Sequence, residues 1–174
     1  MALLQRLWRF YSAHQHLLLI LLCLFLVLGS GSLMMIRSIR AGAGFWDLSH
    51  VYLGLLCVPL SLTFLVSNCT SGRWRQYFSL FIGDWRQIGA DIGGLFKGKL
   101  PVAGGKGLFS LIEGLGMLLL LGVALTGLLW YLTQSSSDAL FWRGWHKHLA
   151  HGFIGFLIVH AICALSHLLD FFRQ

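Results

Sequence analysis

The sequence predicts an all-α membrane protein: a four-transmembrane-helix bundle with both termini inside (N-in/C-in) and an amphipathic cytoplasmic loop between helices 2 and 3. Three observations predict it. Of the 174 residues, 57% are hydrophobic and only 11% charged, whereas a soluble domain carries about 25% charged residues. Four apolar runs reach the ~20 residues a helix needs to cross the hydrocarbon core. The 13 Lys and Arg residues gather in the connecting segments and divide unevenly between two sides.

The first span runs from about residue 14 to 36. Its apolar stretch from Leu17 to Leu28 continues through Gly29-Ser30-Gly31-Ser32 to Ile36, long enough to span and without a convincing cleavage site, so it is read as a helix and not as a removable signal. The second span covers about 48–66 and contains Pro59, which removes a backbone donor and is expected to kink it. The third covers about 108–132 and the fourth about 145–169. Gly and Ser within these runs suit close helix contact. The whole chain, 1–174, reads as one integral-membrane domain without an internal repeat.

Orientation follows from the cations. Arg6, Arg9, Arg73, Arg75, Arg86, Lys97, Lys99, Lys106 and Arg173 fall on one side, against Arg37, Arg40, Arg143 and Lys147 on the other. The positive-inside rule puts the richer side in the cytoplasm. Trp46, Trp142 and Trp145 then form an outer aromatic belt, and Trp8, Trp74 and Trp85 an inner one. Between spans two and three, the stretch from Cys69 to Gly107 alternates aromatic and aliphatic with polar residues at near-helical spacing. It is expected to be an amphipathic helix on the cytoplasmic membrane surface, ending before Pro101.

The net charge of +7 belongs to this topology and to anionic lipid headgroups. No extended basic run interleaved with aromatics offers a nucleic-acid groove. Three of the four cysteines (Cys23, Cys57, Cys69 and Cys163) sit in apolar runs as small core residues. There is neither a CxxC zinc pair nor a CxxCH covalent haem site.

Eight histidines are the most informative feature, because an ionisable side chain within a span is a functional hypothesis by default. Span four carries His146, His148, His151, His160 and His167; span one opens with His14 and His16; span two opens with His50. His146 and His160, fourteen residues apart, share one helix face about 21 Å apart along the axis. His167 lies on nearly the same face, while His148 and His151 point away from it. Spans two and four both start on the outer side and span one on the inner. Depth therefore pairs His50 with His146 in one leaflet and His14 with His160 in the other. Two imidazoles from facing helices are what a haem iron needs in a bundle interior. Two haem b groups are expected, with those four histidines as iron ligands. His16 competes with His14, since two residues change depth by only ~3 Å. His167 is open between a quinone contact and a contact to haem propionates. Single histidines bonded to backbone would be the unremarkable alternative, and His148 and His151 are read that way.

Several motifs carry a family resemblance. Span four reads Trp145-His146, Leu149-Ala150, Gly155, His160-Ala161, Ala164-Leu165 and His167; span one begins Ser12-Ala13-His14, and span two begins Leu48-Ser49-His50-Val51-Tyr52-Leu53-Gly54. Over nearly the whole chain this resembles the bacterial cytochrome b561 family, within the group that includes the cytochrome b subunits of formate dehydrogenases and nickel–iron hydrogenases. The resemblance implies the same two haem pairs, His14 with His160 and His50 with His146. The loop is similar to the formate dehydrogenase subunit in its Gly83-Asp84-Trp85-Arg86-Gln87 and Leu95-Phe96-Lys97-Gly98-Lys99-Leu100-Pro101 stretches. That family's quinone-associated Asn-Ala-Gly-Gln-Lys motif is replaced here by Gly104-Gly105-Lys106-Gly107, so its quinone ligands do not carry over.

The leading functional expectation is a di-haem cytochrome of the bacterial inner membrane that passes electrons between ubiquinone or menaquinone and a periplasmic redox partner. It would act as the membrane subunit of an oxidoreductase, because the chain has no dinucleotide fingerprint and no iron–sulfur cysteine cluster of its own. A second reading, also implied by resemblance, is a stand-alone superoxide:quinone oxidoreductase, with Lys147 and Arg143 attracting the anion. A third is a haem-free transition-metal transporter using the same histidines. Glu113, the one acid well inside a run, is either an interface residue paired with Lys106 or Arg86, or a proton relay to quinone.

Overall fold

The computed structural model describes residues 2–29, 42–83, 85–101 and 105–173. The expected end of span one (Ser30 to Ile36), Arg37, Arg40 and Gly104 lie outside the described residues. All the regular structure among the described residues is helical: α1 Ala2–Gly29, α2 Phe45–Cys69, α3 Trp74–Tyr77, α4 Arg86–Leu95, α5 Leu108–Leu132 and α6 Asp138–Arg173. Four of them, α1, α2, α5 and α6, are long and apolar enough to cross a membrane. In hydrocarbon this is the required solution, since a helix satisfies its backbone donors and acceptors within itself.

The helices run past the apolar stretches that announce them. α1 starts at Ala2, because Leu3, Leu4, Leu7, Trp8 and Phe10 keep a helical spacing around Arg6 and Arg9. α6 has 36 residues, about 54 Å at 1.5 Å per residue. That exceeds the ~30 Å hydrocarbon core, so its ends reach beyond it or it tilts. α2 continues through Pro59 to Cys69. The Thr63 hydroxyl donates back to the Pro59 carbonyl at 2.8 Å and lies 3.1 Å from that of Leu60.

The chain forms two compact units, Met1–Phe64 with Leu121–His148, and Leu65–Leu120 with Leu149–Gln174. In the first, α1 and α2 are antiparallel. Gln15, Leu19 and Cys23, one turn apart, are the buried stripe of α1. They meet α2 where the Gln15 amide donates to the Thr63 hydroxyl at 3.3 Å and the Tyr11 hydroxyl hydrogen-bonds the same oxygen. Further along, the buried thiols of Cys23 and Cys57 hydrogen-bond to each other, and the ring of Phe25 lies 5.6 Å from that of Trp46. The α5–α6 turn is short. Thr133 closes α5 with its hydroxyl on the Leu129 carbonyl at 2.7 Å, and Asp138 opens α6, where a carboxylate complements the helix dipole.

In the second unit, α5 and α6 are again antiparallel, and glycines set how closely they approach. A Cβ at Gly116 would fall inside the ring of Phe156, and one at Gly152 would sit 3.5 Å from Leu119. The connecting segment is not the single amphipathic helix that its spacing suggests. It is broken into a 3-10 turn at Thr70–Gly72, the short α3, a second 3-10 turn at Ser79–Ile82, and α4. The breaks have local causes: Gly72 and Gly83 adopt φ of 79° and 74°, the left-handed region that ends a helix. α3 presses on α5 at Gly114, where a Cβ would lie 2.6 Å from the Tyr77 carbonyl oxygen. α4 reaches α5 through Asp91, a buried carboxylate that accepts from the Leu108 amide at 2.8 Å and from the Gln87 side chain at 2.7 Å. It caps the N-terminus of α5 from another element, and a Cβ on Gly107 would lie 2.3 Å from its oxygen.

Gly114→Ala is expected to lower stability by about 1–3 kcal/mol, because the obstructing atom is backbone and cannot swing aside. Gly155→Ala meets open space and should be neutral or slightly stabilising. Thermal unfolding of the two variants in mild detergent, followed by circular dichroism, checks the difference.

Candidate haem-binding site

His50 stands in the second turn of α2 and His146 in the third turn of α6, both in the first unit. Their ring centres are 6.2 Å apart and their planes are nearly perpendicular, at 89°. The Nδ1 of His146 donates to the Val123 carbonyl of α5 at 2.9 Å. A ring nitrogen of His50 is likewise bonded to the Leu26 carbonyl of α1. Each imidazole thus has a ring nitrogen tied to a backbone carbonyl of a neighbouring helix. This is how metal-binding histidines are oriented, since the outer hydrogen bond fixes the tautomer and turns the other lone pair inward. Four helices contribute: two supply the rings and two supply the carbonyls that hold them.

Two glycines stand near the pair. Gly127 lies against the His146 ring, where a Cβ would be 3.2 Å from its Cε1 and Nδ1. Gly54, one turn past His50, has open space at the position a side chain would fill.

The residues fit a haem. An ion held between two imidazole nitrogens at about 2.0–2.1 Å each puts the ring centres roughly 6 Å apart, and the observed separation matches. No group of three or more His, Cys, Asp or Glu side chains converges among the described residues. A porphyrin iron needs only two protein ligands, because the macrocycle supplies the rest.

The other histidines stand as follows. His14 is exposed, its Nδ1 is 2.9 Å from the Phe10 carbonyl one turn back, and its ring stacks on that of Phe10 with centres 4.3 Å apart. His16 instead stacks on Phe64, 5.9 Å between centres. His14 belongs to the first unit and His160 to the second, where the Phe156 ring lies 5.4 Å from that of His160. His148 and His151 are exposed. His167, in the second unit, meets Phe109 of α5 edge-on at 4.7 Å, and its Nε2 is buried without a hydrogen-bond partner among the described residues.

The chain matches the family model described as prokaryotic cytochrome b561 across residues 7–170. It belongs to the prokaryotic cytochrome b561 family. No curated protein and no solved structure matches it. Membership makes it a multi-pass bacterial membrane cytochrome that binds haem b and works in electron transfer. In this chain the His50 and His146 rings lie 6.2 Å apart, with the Leu26 and Val123 carbonyls bonded to them.

Several contributors are not visible in the sequence. The Leu26 and Val123 carbonyls carry no side-chain signature, and the Asp91 cap acts seventeen residues ahead of the amide it serves. Tyr77, in the connecting segment, donates its hydroxyl to the Asn68 side chain at 3.4 Å. Burial pushes its phenol above the ordinary value; Glu113 adds to the rise and Arg73 opposes it.

Gly127→Val should push the His146 ring off the Val123 carbonyl and lower the haem content of the purified protein. Gly144→Ala, which meets open space two residues before His146, should leave haem content unchanged. Pyridine haemochrome assay per mole of protein checks both.

Proposed function

We propose that the protein is a di-haem electron carrier of the bacterial inner membrane, with one haem b in each leaflet, and that it works between the quinone pool and a redox partner on the periplasmic face as the membrane subunit of an oxidoreductase. The observation that carries this reading is the His50–His146 arrangement: two helices bring the imidazoles to metal-bridging distance, and two further helices fix them through backbone carbonyls.

The second haem rests on His14 and His160. His160 lies about four turns from His146 on the same face of α6, a spacing that separates two cofactors along the membrane normal. The Nδ1 of His14 is tied to a carbonyl as that of His146 is, which leaves its Nε2 for iron. The cation count supports a cytoplasmic location for both termini and for the segment between α2 and α5.

Quinone, ubiquinone or menaquinone, is the lipid-soluble partner. The buried, unpartnered Nε2 of His167 supports a contact there, since a buried imidazole nitrogen needs something to bond. Haem, when bound, supplies the one-electron chemistry; the protein's part is to position it, exclude water from it and manage protons at the quinone.

The reduced-minus-oxidised spectrum of the purified protein should show b-type bands, with two haems per chain by haemochrome assay. His50→Ala and His146→Ala should each lose the same haem, and His14→Ala and His160→Ala the other, while His16→Ala retains both. Full haem occupancy in any of the four would remove that residue from the ligand set, and a stoichiometry of one would overturn the di-haem reading.

A further inference from the structure

Glu113 is a carboxyl group in the second turn of α5, a helix whose other residues are apolar or neutral. Everything placed around it lies in the second unit. Phe109, one turn back on the same helix face, meets the His167 ring edge-on at 4.7 Å, so Glu113 follows by one turn the residue that touches His167. Gly114, the next residue, is where α3 closes in, bringing Tyr77 against α5. The charge of Glu113 is felt at Tyr77, whose hydroxyl is held by Asn68. Arg73 and Cys69 are the other titratable groups that act on this phenol. Arg73 is exposed and bonded to the Ser67 carbonyl at 2.7 Å, so this cluster marks the watery edge of the unit. Glu113 is thus one helical turn from the Phe109–His167 contact and one residue from the Gly114–Tyr77 contact. An acid placed one to two turns inside an apolar helix needs a reason to be there, and a quinone needs protons when it takes electrons.

From this geometry we infer that Glu113 is the proton donor to the quinone, and the proton acceptor in the reverse direction, with His167 Nε2 bonding the quinone and Tyr77 positioning the segment that covers the acid. The inference rests on the quinone reading given above. The overall change is quinone + 2 electrons + 2 protons → quinol. The reduced cytochrome supplies the electrons one at a time. The Glu113 carboxylic acid gives its proton to a quinone oxygen and becomes a carboxylate. It is reprotonated from the aqueous rim and then gives the second proton. Operated backwards, the same carboxylate takes both protons from quinol.

The experiment uses the purified full-length holoprotein, reduced chemically and mixed in a stopped-flow instrument with a short-chain ubiquinone analogue while haem reoxidation is followed. Glu113→Gln should slow quinone-dependent reoxidation at least about tenfold, the lower end of what a proton-transfer group contributes, with the half-saturating quinone concentration unchanged. Glu113→Asp should recover a substantial part of the rate. In heavy water the wild type should slow more than Glu113→Gln. A wild type that is not reoxidised by quinone overturns the quinone reading itself. A wild type that is reoxidised, with Glu113→Gln equally fast, overturns the role of Glu113 alone. Should Glu113→Gln lose haem, the wild type treated with dicyclohexylcarbodiimide decides. Modification of Glu113 by mass spectrometry, slowed reoxidation and protection by the quinone analogue are expected, and a modified protein that reacts at the untreated rate overturns the inference.

Discussion

An imidazole in hydrocarbon has two nitrogens and no water, and much of this molecule answers that problem. One nitrogen is given a backbone carbonyl. For His14 the carbonyl comes from its own helix, for His146 from α5 and for His50 from α1. Such a bond fixes the tautomer of the ring, which is the condition under which an imidazole can bind a metal without carrying a net charge into the membrane. An inter-helix carbonyl also couples ligand position to helix packing. His146 can stay aimed only while α5 and α6 keep their spacing, and His50 only while α1 and α2 do. Haem binding and the assembly of the first unit are therefore expected to stabilise one another.

That spacing is set by small side chains. In the first unit Gly127 lies against the His146 ring; in the second, Gly116 receives Phe156 and Gly152 lies beside Leu119. Helices in lipid gain little from hydrophobic burial against one another, so close backbone approach and a few inter-helix hydrogen bonds carry the association. The α1–α2 contact uses polar groups instead: Gln15 and Tyr11 on Thr63, and Cys23 on Cys57. In the first unit these bonds lie on the side of α1 that also supplies the Leu26 carbonyl, so the seam that joins the helices orients a ligand as well.

What could be read in the sequence and what could not divides along a physical line. Four spans are legible because hydropathy is a property of each segment alone, and the family resemblance is legible because the histidines recur at fixed spacing along single helices. The nearness of the His50 and His146 rings, 6.2 Å between centres, agrees with their matching depth, the one coordinate that two spans running the same way share. Helix ends are less legible: α1 and α6 continue well beyond their apolar cores, since outside the bilayer no hydropathy signal marks where a helix stops. The segment between α2 and α5 reads as one amphipathic helix and is four short pieces, because a single left-handed glycine such as Gly83 outweighs the periodicity on both sides of it. Asp91 could not be found at all. Its meaning depends on the Leu108 amide, a long-range contact with no local pattern.

Asp91 and Gly114 together explain why so irregular a segment lies where it does. The first four amides of α5 have no partner within the helix, and a capping carboxylate stabilises such an end more when it is buried than when water competes for the same donors. Asp91 is buried and bonded to both Leu108 and Gln87, which ties α4 to the beginning of α5. Two turns further along, Gly114 lets α3 rest directly on the helix. The connecting segment is thus fastened to α5 on either side of Phe109 and Ser110, and the Gln76 side chain adds a third tie by donating to the Ser110 hydroxyl at 3.1 Å. Those ties bracket the stretch of α5 that meets His167 and carries Glu113. A loop fixed at three points over one helical stretch is rigid enough to shape the surroundings of a polar group. The positional strictness of Gly107 and Gly114, where even a methyl group would strike Asp91 or Tyr77, is better accounted for by that shaping than by chain reversal alone, which many sequences would satisfy.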